Sequence, residues 1–336
     1  MSVVLPARTG AQISVVIPCY RSEHTLGPVV EDLLAELDDP TRPGGAAVRD
    51  FEIVLVVDGS PDSTARVARD LADARPDRVR SVELRRNYGQ HNALIAGIRR
   101  ARYDVVVTMD DDQQHRADQI PLLLASLTED VDLVYGVAEE EEHGVLRSAA
   151  SRFVKRTLAM AGVPRADDVS AFRAFRTALR DTFTDVTDPY SSLDVLLSWA
   201  TTSIARAVVR MDERTVGSSS YTLRSLVRHA LNMVTGYSNV PLRIVAWLGW
   251  FSAALGAVLG AVVVWKFATG ETTVAGFTSI AAMVALFSGA QMLSLGVIGE
   301  YLGRLHTRSM GKPTYAVRRD STVDGTGRTD DRDGSA

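Results

Sequence analysis

Short apolar runs alternate with amphipathic segments along the first 135 residues of the chain. The apolar runs are rich in Val, Ile and Leu, which is typical of strands buried on both faces of a parallel sheet. With the more mixed strand-like segment 79–84 counted as the third, the runs cover residues 13–17, 51–57, 79–84, 104–109 and 133–137. The segments at 25–37, 63–74 and 92–101 have helical patterns. This alternation predicts an α/β domain in which helices cover both faces of a parallel sheet.

Two much longer apolar stretches follow, at residues 244–265 and 274–298. Each approaches the roughly 20 residues that cross a bilayer as a helix. The first carries no charge between Arg243 and Lys266. We predict two transmembrane helices; the alternative is a buried helical hairpin in a soluble core. Because only residues 266–273 separate the stretches, they should form an antiparallel hairpin with both outer ends on one side.

Positive charges flank the outer ends of this predicted hairpin. They are Arg224, Arg228 and Arg243 before it, and Arg304, Arg308, Lys312, Arg318 and Arg319 after it. The positive-inside rule places both ends in the cytoplasm. Residues 1–12 lack the apolar core of a signal peptide, so the α/β domain is expected there as well. We therefore expect a multi-pass protein of the inner (cytoplasmic) cell membrane with both termini in the cytoplasm.

An amphipathic segment at residues 223–234 precedes the first predicted span. It is either an interfacial helix that meets anionic lipid head groups or a helix that packs against the sheet. The predicted organisation has four parts. They are the α/β domain at 1–221, an amphipathic interfacial helix at 222–241, the transmembrane pair at 242–304, and a basic segment with a disordered tail at 305–336.

Composition narrows the class of protein. Of the 336 residues, 46% are hydrophobic and 23% are charged, which allows a full α/β core and a smaller appendage. The formal net charge of −4 argues against a nucleic-acid-binding protein, since such proteins present a strongly basic face. The single cysteine, Cys19, excludes an internal disulfide framework and a Cys-rich zinc site.

An acidic cluster ends the fourth apolar run. Residues 110–114 read Asp-Asp-Asp-Gln-Gln and should lie at the carboxyl end of that strand, where open α/β sheets bind ligands. Oxygen ligands at positions i, i+2 and i+4 suit Mg²⁺ or Mn²⁺, which in turn binds phosphate oxygens. The alternative is an acidic turn that faces water.

A second polar turn follows the second apolar run. Residues 58–64 read Asp-Gly-Ser-Pro-Asp-Ser-Thr. At the carboxyl edge of the sheet, Asp58 can accept hydrogen bonds from a nucleotide base or ribose. Helix capping alone explains Asp62 and Ser63, so this turn is a weaker signal than the acidic cluster.

Four motifs, taken in order, resemble those of a known family. They are Val-Val-Ile-Pro-Cys-Tyr at 15–20, Val-Asp-Gly-Ser-Pro-Asp at 57–62, Arg-Asn-Tyr-Gly-Gln-His at 86–91 and the cluster at 110–114. The chain resembles the family 2 glycosyltransferases over residues 12–318. The closer likeness is to the polyprenyl-phosphate branch, which includes dolichyl-phosphate mannose synthase, bactoprenol glucosyltransferase and undecaprenyl-phosphate aminoarabinose transferase. The resemblance implies a Rossmann-like, GT-A type nucleotide-sugar domain followed by an interfacial helix and a two-helix transmembrane hairpin.

The resemblance also implies roles for residues at the sheet edge. Asp110, Asp112 and Gln114 would hold the divalent metal, Mg²⁺ or Mn²⁺, and the donor diphosphate. The middle residue of that motif is usually small, so Asp111 is a departure from the family pattern. Two roles are open for it: an additional charge in the outer shell of the metal, or a contact to the ribose. The implied nucleotide-binding residues are Pro18, Tyr20, Asp58, Asn87 and Asp111.

Two other departures affect the choice of donor. Arg21 stands where Asn is usual, and Val57 stands where Asp or Asn often precedes the key Asp. Both leave the donor base open, with UDP favoured by the bacterial relatives. The implied partners are a nucleoside-diphosphate sugar, a polyprenyl phosphate lipid and the membrane, and a homo-oligomer is known among the relatives.

Downstream motifs resemble the family's contacts with the lipid phosphate. The implied acceptor-phosphate residues are Arg147, Ser151, Arg152, Ser170, Arg173 and Arg214. Arginine suits this role because its planar donors pair with phosphate oxygens, and Arg147 and Arg173 would also position the attacking phosphate. The alternative is that these arginines pair with the acidic run at 139–142. Asp167 is either a general base or a helix cap.

The implied reaction is metal-dependent, inverting transfer of a sugar from a nucleoside-diphosphate sugar to undecaprenyl or decaprenyl phosphate. The product would be a polyprenyl monophosphosugar for cell-envelope glycosylation. A processive membrane polysaccharide synthase is one alternative, but it usually carries more spans and a Gln-x-x-Arg-Trp motif that this sequence lacks. A catalytically silent membrane scaffold is the other, and the intact Asp110, Asp112 and Gln114 argue against it.

Overall fold

The computed structural model describes residues 10–139, 159, 162–186, 191–212, 240–270 and 276–321. The chain divides into two compact units. One comprises residues 1–159, 163–222 and 312–336, and the other comprises 160–162 and 223–311. The first is an α/β unit, and the second contains two long helices.

Eight strands and six helices make up the described part of the α/β unit. The strands are β1 (Ala11–Cys19), β2 (Val48–Val57), β3 (Val79–Leu84), β4 (Val105–Thr108), β5 (Leu133–Ala138), β6 (Arg173–Arg176), β7 (Ile204–Val209) and β8 (Val317–Asp320). The helices are α1 (Leu26–Asp38), α2 (Pro43–Ala47), α3 (Thr64–Ala74), α4 (Gln90–Ile98), α5 (Ile120–Ser126) and α6 (Leu193–Ala200). Short 3₁₀ turns lie at Ala117–Gln119, Ala166–Asp168 and Thr177–Phe183.

One mixed sheet contains these strands in the order β7-β5-β6-β4-β1-β2-β3-β8. β1 pairs in parallel with β2 and β4, β2 with β3, and β5 with β7. β6 runs antiparallel between β4 and β5, and β8 runs antiparallel beside β3. The predicted α/β fold is confirmed, but these two strands correct the expectation of a wholly parallel sheet. Each of these strands is only four residues long and contains charged side chains. Neither therefore stands out as a strand in the sequence.

Successive residues of the central strands belong to two separate hydrophobic clusters. On β1, Ile13, Val15 and Ile17 lie in one cluster and Val16 lies in the other. The first cluster includes side chains of α1 and α3, and the second includes those of α4. Because successive strand residues face opposite sides of the sheet, both faces of β1 are buried. This explains why its sequence is a continuous apolar run instead of an alternating one.

β8 lies in the segment that we expected to be basic and to end in a disordered tail. The Arg85 backbone N–H donates to the carbonyl of Ala316 over 2.9 Å. Arg100 Nε donates to Asp320 Oδ2 over 2.6 Å, and the Asp320 side chain is nearly buried. Backbone pairing and this ion pair hold the strand, and neither is visible in the pattern Val-Arg-Arg-Asp. The sequence analysis did not identify this strand, whose last residue, Asp320, lies at the start of the expected tail; residues 322–336 lie outside the described part.

The second unit contains α7 (Val240–Ala268) and α8 (Phe277–Ser309), which overlap the two predicted spans. Over Val240–Val262, α7 is long and apolar enough to cross a membrane, and none of that stretch is buried. It is the one helix with these properties in the part of the chain that the structure describes. Exposed apolar side chains on both helices, such as Trp250 and Leu286, argue against a buried soluble hairpin. Most of the expected interfacial helix at 222–241 lies outside the described residues.

Candidate active site

The carboxyl ends of β1, β2 and β4 meet the start of α4 at a cleft in the α/β unit. The cleft has a volume of about 240 Å³ and is lined by Pro18, Cys19, Tyr20, Asp58, Asn87, Gly89, Gln90, Asp110, Asp111 and Asp112. The residues expected to contact the nucleotide all line it, together with two of the expected metal ligands. Gln114 is not among the lining residues. This position is the edge at which open α/β sheets bind ligands.

The outer two acids of the cluster have different neighbours. Gln90 Nε2 donates to Asp110 Oδ1 over 2.7 Å, which joins the start of α4 to the end of β4. Asp112 Oδ1 accepts the backbone N–H of Gln114 over 3.2 Å. Between them, Gln113 has a left-handed φ of 65°, so the chain turns sharply after Asp112. The cluster is therefore a compact turn at the end of the strand, with Gln114 contributing a backbone contact.

Asp111, the middle acid, contacts the loop that follows β1. Its Oδ2 accepts the Tyr20 backbone N–H over 3.3 Å and the Ser22 hydroxyl proton. Burial raises the pKa of Asp111 to about 6; the hydrogen bond from Ser22 opposes the rise, and the charges of Asp110 and Asp112 add to it. The cleft therefore concentrates negative charge.

The lining of the cleft fits a divalent cation. Four carboxylates, and no lysine or arginine, occur among the described residues that line it. A donor diphosphate is itself an anion, so its binding here needs positive charge that Mg²⁺ or Mn²⁺ can supply through oxygen ligands. Within the described residues, no group of three or more His, Cys, Asp or Glu side chains is arranged to hold a metal. Asp110 and Asp112 would therefore share the cation with other oxygen ligands.

Asp58 holds the loop before α4. Its two carboxylate oxygens accept the backbone N–H groups of Tyr88 and Gly89, each over 2.7 Å. Burial raises the pKa of Asp58, and these two hydrogen bonds oppose the rise. We expected Asp58 to contact the nucleotide; the structure adds a role in shaping the loop that presents Asn87 and Gln90 to the cleft.

Two residues near the acidic cluster were missed by the sequence analysis. His115 Nδ1 accepts the Asp110 backbone N–H over 2.9 Å, and its ring stacks on Phe172 with centroids 5.1 Å apart. Burial lowers the pKa of His115 to about 4, so the ring is neutral at pH 7 and can accept this bond. Gln90, which contacts Asp110, lies within the motif at 86–91, and that motif was the signal that could have identified it. No comparable signal pointed to His115.

Arg173 lies inside the α/β unit. It begins β6 opposite Thr108 of β4, but only 2% of its surface is exposed. Its guanidinium forms a buried ion pair with Asp194 of α6, and it lies over the ring of Tyr135. Its charge is therefore already paired inside the unit, and the predicted contact of Arg173 with a lipid phosphate stays a prediction. Among the described residues, the charged partner of Arg173 is Asp194, and Glu139 instead lies 3.9 Å from Arg210.

The remaining predicted residues of the acceptor site are only partly described. Asp167 is exposed in the 3₁₀ turn Ala166–Asp168. Ser170 Oγ accepts the Phe172 backbone N–H over 3.2 Å. Arg147, Ser151, Arg152, Arg214 and residues 140–142 lie outside the described part of the chain. Their predicted roles stay predictions.

Gly59, in the loop after β2, lies against Arg86 in the loop before α4. A substitution at Gly59 therefore tests the close approach of these two loops. The φ of Gly59 is +58°, and an added Cβ would lie 2.2 Å from the Arg86 carbonyl carbon. Gly59→Ala is expected to cost about 1–3 kcal/mol from backbone conformation alone, with the clash in addition. The measurement is the apparent melting temperature of the purified full-length protein in detergent. Gly27→Ala on α1 is the control, because nothing lies within 4 Å of its added Cβ; equal shifts for both variants would contradict the contact.

Comparison with protein families identifies the family to which the α/β unit belongs. The family described as Glycosyl transferase family 2 matches residues 14–183, and the residues that line the cleft lie within that range. The chain belongs to this family and is a glycosyltransferase. A second family, described as the GtrB C-terminal hairpin, matches residues 240–305, which include α7 and most of α8.

Individual relatives extend over nearly the whole chain. An undecaprenyl-phosphate 4-deoxy-4-formamido-L-arabinose transferase from Enterobacter sp. is 31% identical over 92% of this chain and 93% of its own length. The transferase of the same name from Klebsiella pneumoniae is 32% identical with the same coverage. Among solved structures, glucosyl-3-phosphoglycerate synthase from Mycobacterium tuberculosis, in complex with Mn²⁺, UDP and phosphoglyceric acid, is 18% identical with a TM-score of 0.44. That match covers 68% of this chain and 78% of the other.

Proposed function

We propose that this glycosyltransferase moves a sugar from a nucleoside-diphosphate sugar, with UDP favoured, to a polyprenyl phosphate. The observation that carries the proposal is the cleft at the carboxyl ends of β1, β2 and β4, lined by four carboxylates, in a chain of this family. The relatives named as undecaprenyl-phosphate transferases cover 92% of the chain, including the region of α7 and α8, and support a lipid phosphate as acceptor.

The donor would lie along the carboxyl edge of the sheet. Pro18 and Tyr20 would contact the nucleotide from the β1 side, and Asn87 would contact it from the loop that Asp58 holds. Asp110 and Asp112 would hold Mg²⁺ or Mn²⁺ with the donor diphosphate, and Gln114 is the third residue that the family motif suggests. When bound, the cation would neutralise charge on the departing nucleoside diphosphate.

The acceptor would attack from the opposite face of the sugar. One oxygen of the lipid phosphate forms a bond to the anomeric carbon as the bond to the diphosphate breaks, so the configuration at that carbon inverts. Because this oxygen is already anionic, orientation is enough and a general base is not required. Ser170 and the arginines of the downstream motifs, Arg147, Arg152 and Arg214, with Ser151, would orient the phosphate. Exposed Asp167 is the candidate if a base is used.

The membrane location forms part of the proposal. The exposed apolar surface of α7 supports a span, and the match of 240–305 to a hairpin family supports a second one in α8. With the positive charges that flank the pair, both ends of the hairpin and the α/β unit would lie in the cytoplasm. A long-chain lipid phosphate could then reach the protein without leaving the bilayer.

A donor panel tests the proposal. Purified full-length protein in detergent is incubated with undecaprenyl phosphate, Mn²⁺ and UDP-, GDP- or dTDP-sugars, and the lipid fraction is analysed by mass spectrometry. We expect one polyprenyl monophosphosugar, formed only when the lipid phosphate is present. A lengthening saccharide would favour a processive synthase. No lipid product from any donor would favour a silent scaffold.

A further inference from the structure

The turn that follows β1 has an unusual backbone conformation. Arg21 has a left-handed φ of 59°, which residues with a side chain rarely adopt. Such a conformation persists when surrounding contacts hold it. The turn comprises Tyr20, Arg21 and Ser22, and Tyr20 lines the cleft.

Side chains of two other segments bind the middle and end of this turn. The Arg21 backbone N–H donates to Ser60 Oγ over 2.9 Å. The Ser22 backbone N–H donates to Thr64 Oγ1 over 2.8 Å. Ser60 lies in the loop after β2, and Thr64 is the first residue of α3. These bonds tie the turn to the next strand–helix connection of the sheet.

Asp111 binds the same turn from the other side. Its Oδ2 accepts both the Tyr20 backbone N–H, over 3.3 Å, and the Ser22 hydroxyl proton. The three successive backbone N–H groups of the turn therefore each meet a side-chain oxygen from elsewhere in the unit. Asp111 is the acidic member of this set, and it bridges the first and last residues of the turn.

The contacts of the turn affect the surface offered to a ligand. The Tyr20 side chain is 42% exposed at the cleft. The Arg21 guanidinium carbon lies 5.5 Å from the centroid of the Tyr20 ring, within the range of a cation–π contact. Loss of the Asp111 bonds would free the Tyr20 backbone N–H and the Ser22 hydroxyl, and would loosen the orientation of this ring, while the Ser22 backbone N–H would stay bound to Thr64.

We propose that Asp111 is a positioning residue for the nucleotide. It orients the nucleotide by holding the turn at residues 20–22, and it does not bind the metal. The inference rests on the proposed function, because it takes the cleft as the donor site. It divides the acidic cluster into two parts. Asp111 belongs to the nucleotide side, whereas Asp110 and Asp112 belong to the diphosphate side.

Hydrogen exchange tests the first step without any ligand. In full-length protein in detergent, the amides of residues 20–22 should exchange about tenfold faster in Asp111→Ala, since a hydrogen bond to a charged group is lost. Asp111→Asn keeps an oxygen acceptor and should exchange close to the wild-type rate. Ser60→Ala removes an acceptor on the other side of the turn, without a change in charge, and should also speed exchange. Unchanged exchange in both alanine variants would overturn the proposal.

Nucleotide binding tests the second step. The probes are UDP and GDP with Mn²⁺, measured by isothermal titration. Affinity should fall several-fold in Asp111→Ala and in the neutral variant Ser60→Ala, and should fall less in Asp111→Asn. The Mn²⁺ concentration for half-maximal nucleotide binding should stay the same in Asp111→Asn and rise in Asp112→Asn. A raised Mn²⁺ requirement in Asp111→Asn with no effect of Ser60→Ala would make Asp111 a metal ligand and overturn the proposal.

These measurements separate the inference from the proposed function. If wild-type protein binds neither nucleotide, the donor assignment is wrong, and the exchange result alone decides whether Asp111 holds the turn. If wild-type protein binds UDP and forms the lipid product but exchange is unchanged in Asp111→Ala and Ser60→Ala, the proposed function stands and the positioning role is wrong.

Discussion

Replacing Asp112 with alanine is expected to reduce the rate of sugar transfer roughly 10³-fold or more, because a metal ligand at a departing diphosphate supplies several kcal/mol of transition-state stabilisation. Asp112 lines the cleft, and the described residues that line it include no lysine or arginine that could replace the lost cation site. The measurement is the initial rate of lipid-product formation by purified full-length protein at saturating donor and Mn²⁺. Nucleotide affinity in Mn²⁺ should fall in parallel.

Two controls separate this effect from damage to the fold. Asp112→Asn keeps the shape of the side chain and an oxygen that can accept the Gln114 N–H, so it should fold normally and still lose most activity. Asp70→Ala on α3 removes an exposed acid that pairs with Arg66 over 3.2 Å and should change the rate less than about twofold. Transfer by Asp112→Ala at the wild-type rate and with the wild-type Mn²⁺ dependence would show that the metal is held elsewhere.

The sequence was sufficient to predict the central sheet because burial on both faces leaves a distinct pattern. β1 and β2 contain long apolar runs, β3 mixes apolar with charged residues, and each expected segment coincides with a strand. The cleft residues were predictable for a related reason. Polar residues that directly follow buried parallel strands lie at the carboxyl edge, so Asp58 and Asp110 were expected at the same edge. The strand order, with β2 and β4 on either side of β1, brings both to one cleft.

The remaining features depend on partners distant in sequence. Val317–Asp320 pairs with β3, more than 200 positions earlier, and the ion pair of Arg100 with Asp320 is a contact that no local pattern encodes. The hydrogen bond of Gln90 to Asp110 likewise joins two motifs that were recognised separately. The motif at 167–173 drew attention to Arg173, but a motif cannot say whether the charge faces solvent or a buried carboxylate. That difference bears on which residues hold the acceptor.

Replacing Asp194 with alanine is expected to destabilise the α/β unit by about 3–5 kcal/mol, because it leaves a buried guanidinium without its counter-charge. Arg173 and Asp194 are 2% and 5% exposed, and among the described residues Arg173 Nε has no hydrogen-bond partner. Tyr135 also donates its hydroxyl to Asp194 Oδ1 over 3.2 Å. Burial raises the pKa of Tyr135, so this hydroxyl stays protonated and would lose its acceptor. The measurement is the fall in apparent melting temperature of the full-length protein in detergent.

A double variant and an exposed control identify the cause of that loss. Arg173→Leu with Asp194→Leu removes both charges and should recover much of the stability, since apolar side chains often replace a buried ion pair at little cost. Asp181→Ala, at an exposed pair with Arg180, should change stability by no more than about 0.5 kcal/mol. If Asp194→Ala melts like the wild type, the Arg173 charge does not depend on Asp194, and Arg173 is again available to hold the lipid phosphate. If the single variant is destabilised and the double variant recovers, Asp194 holds the Arg173 charge in the folded unit, and the other residues of the downstream motifs become the first candidates for the acceptor phosphate.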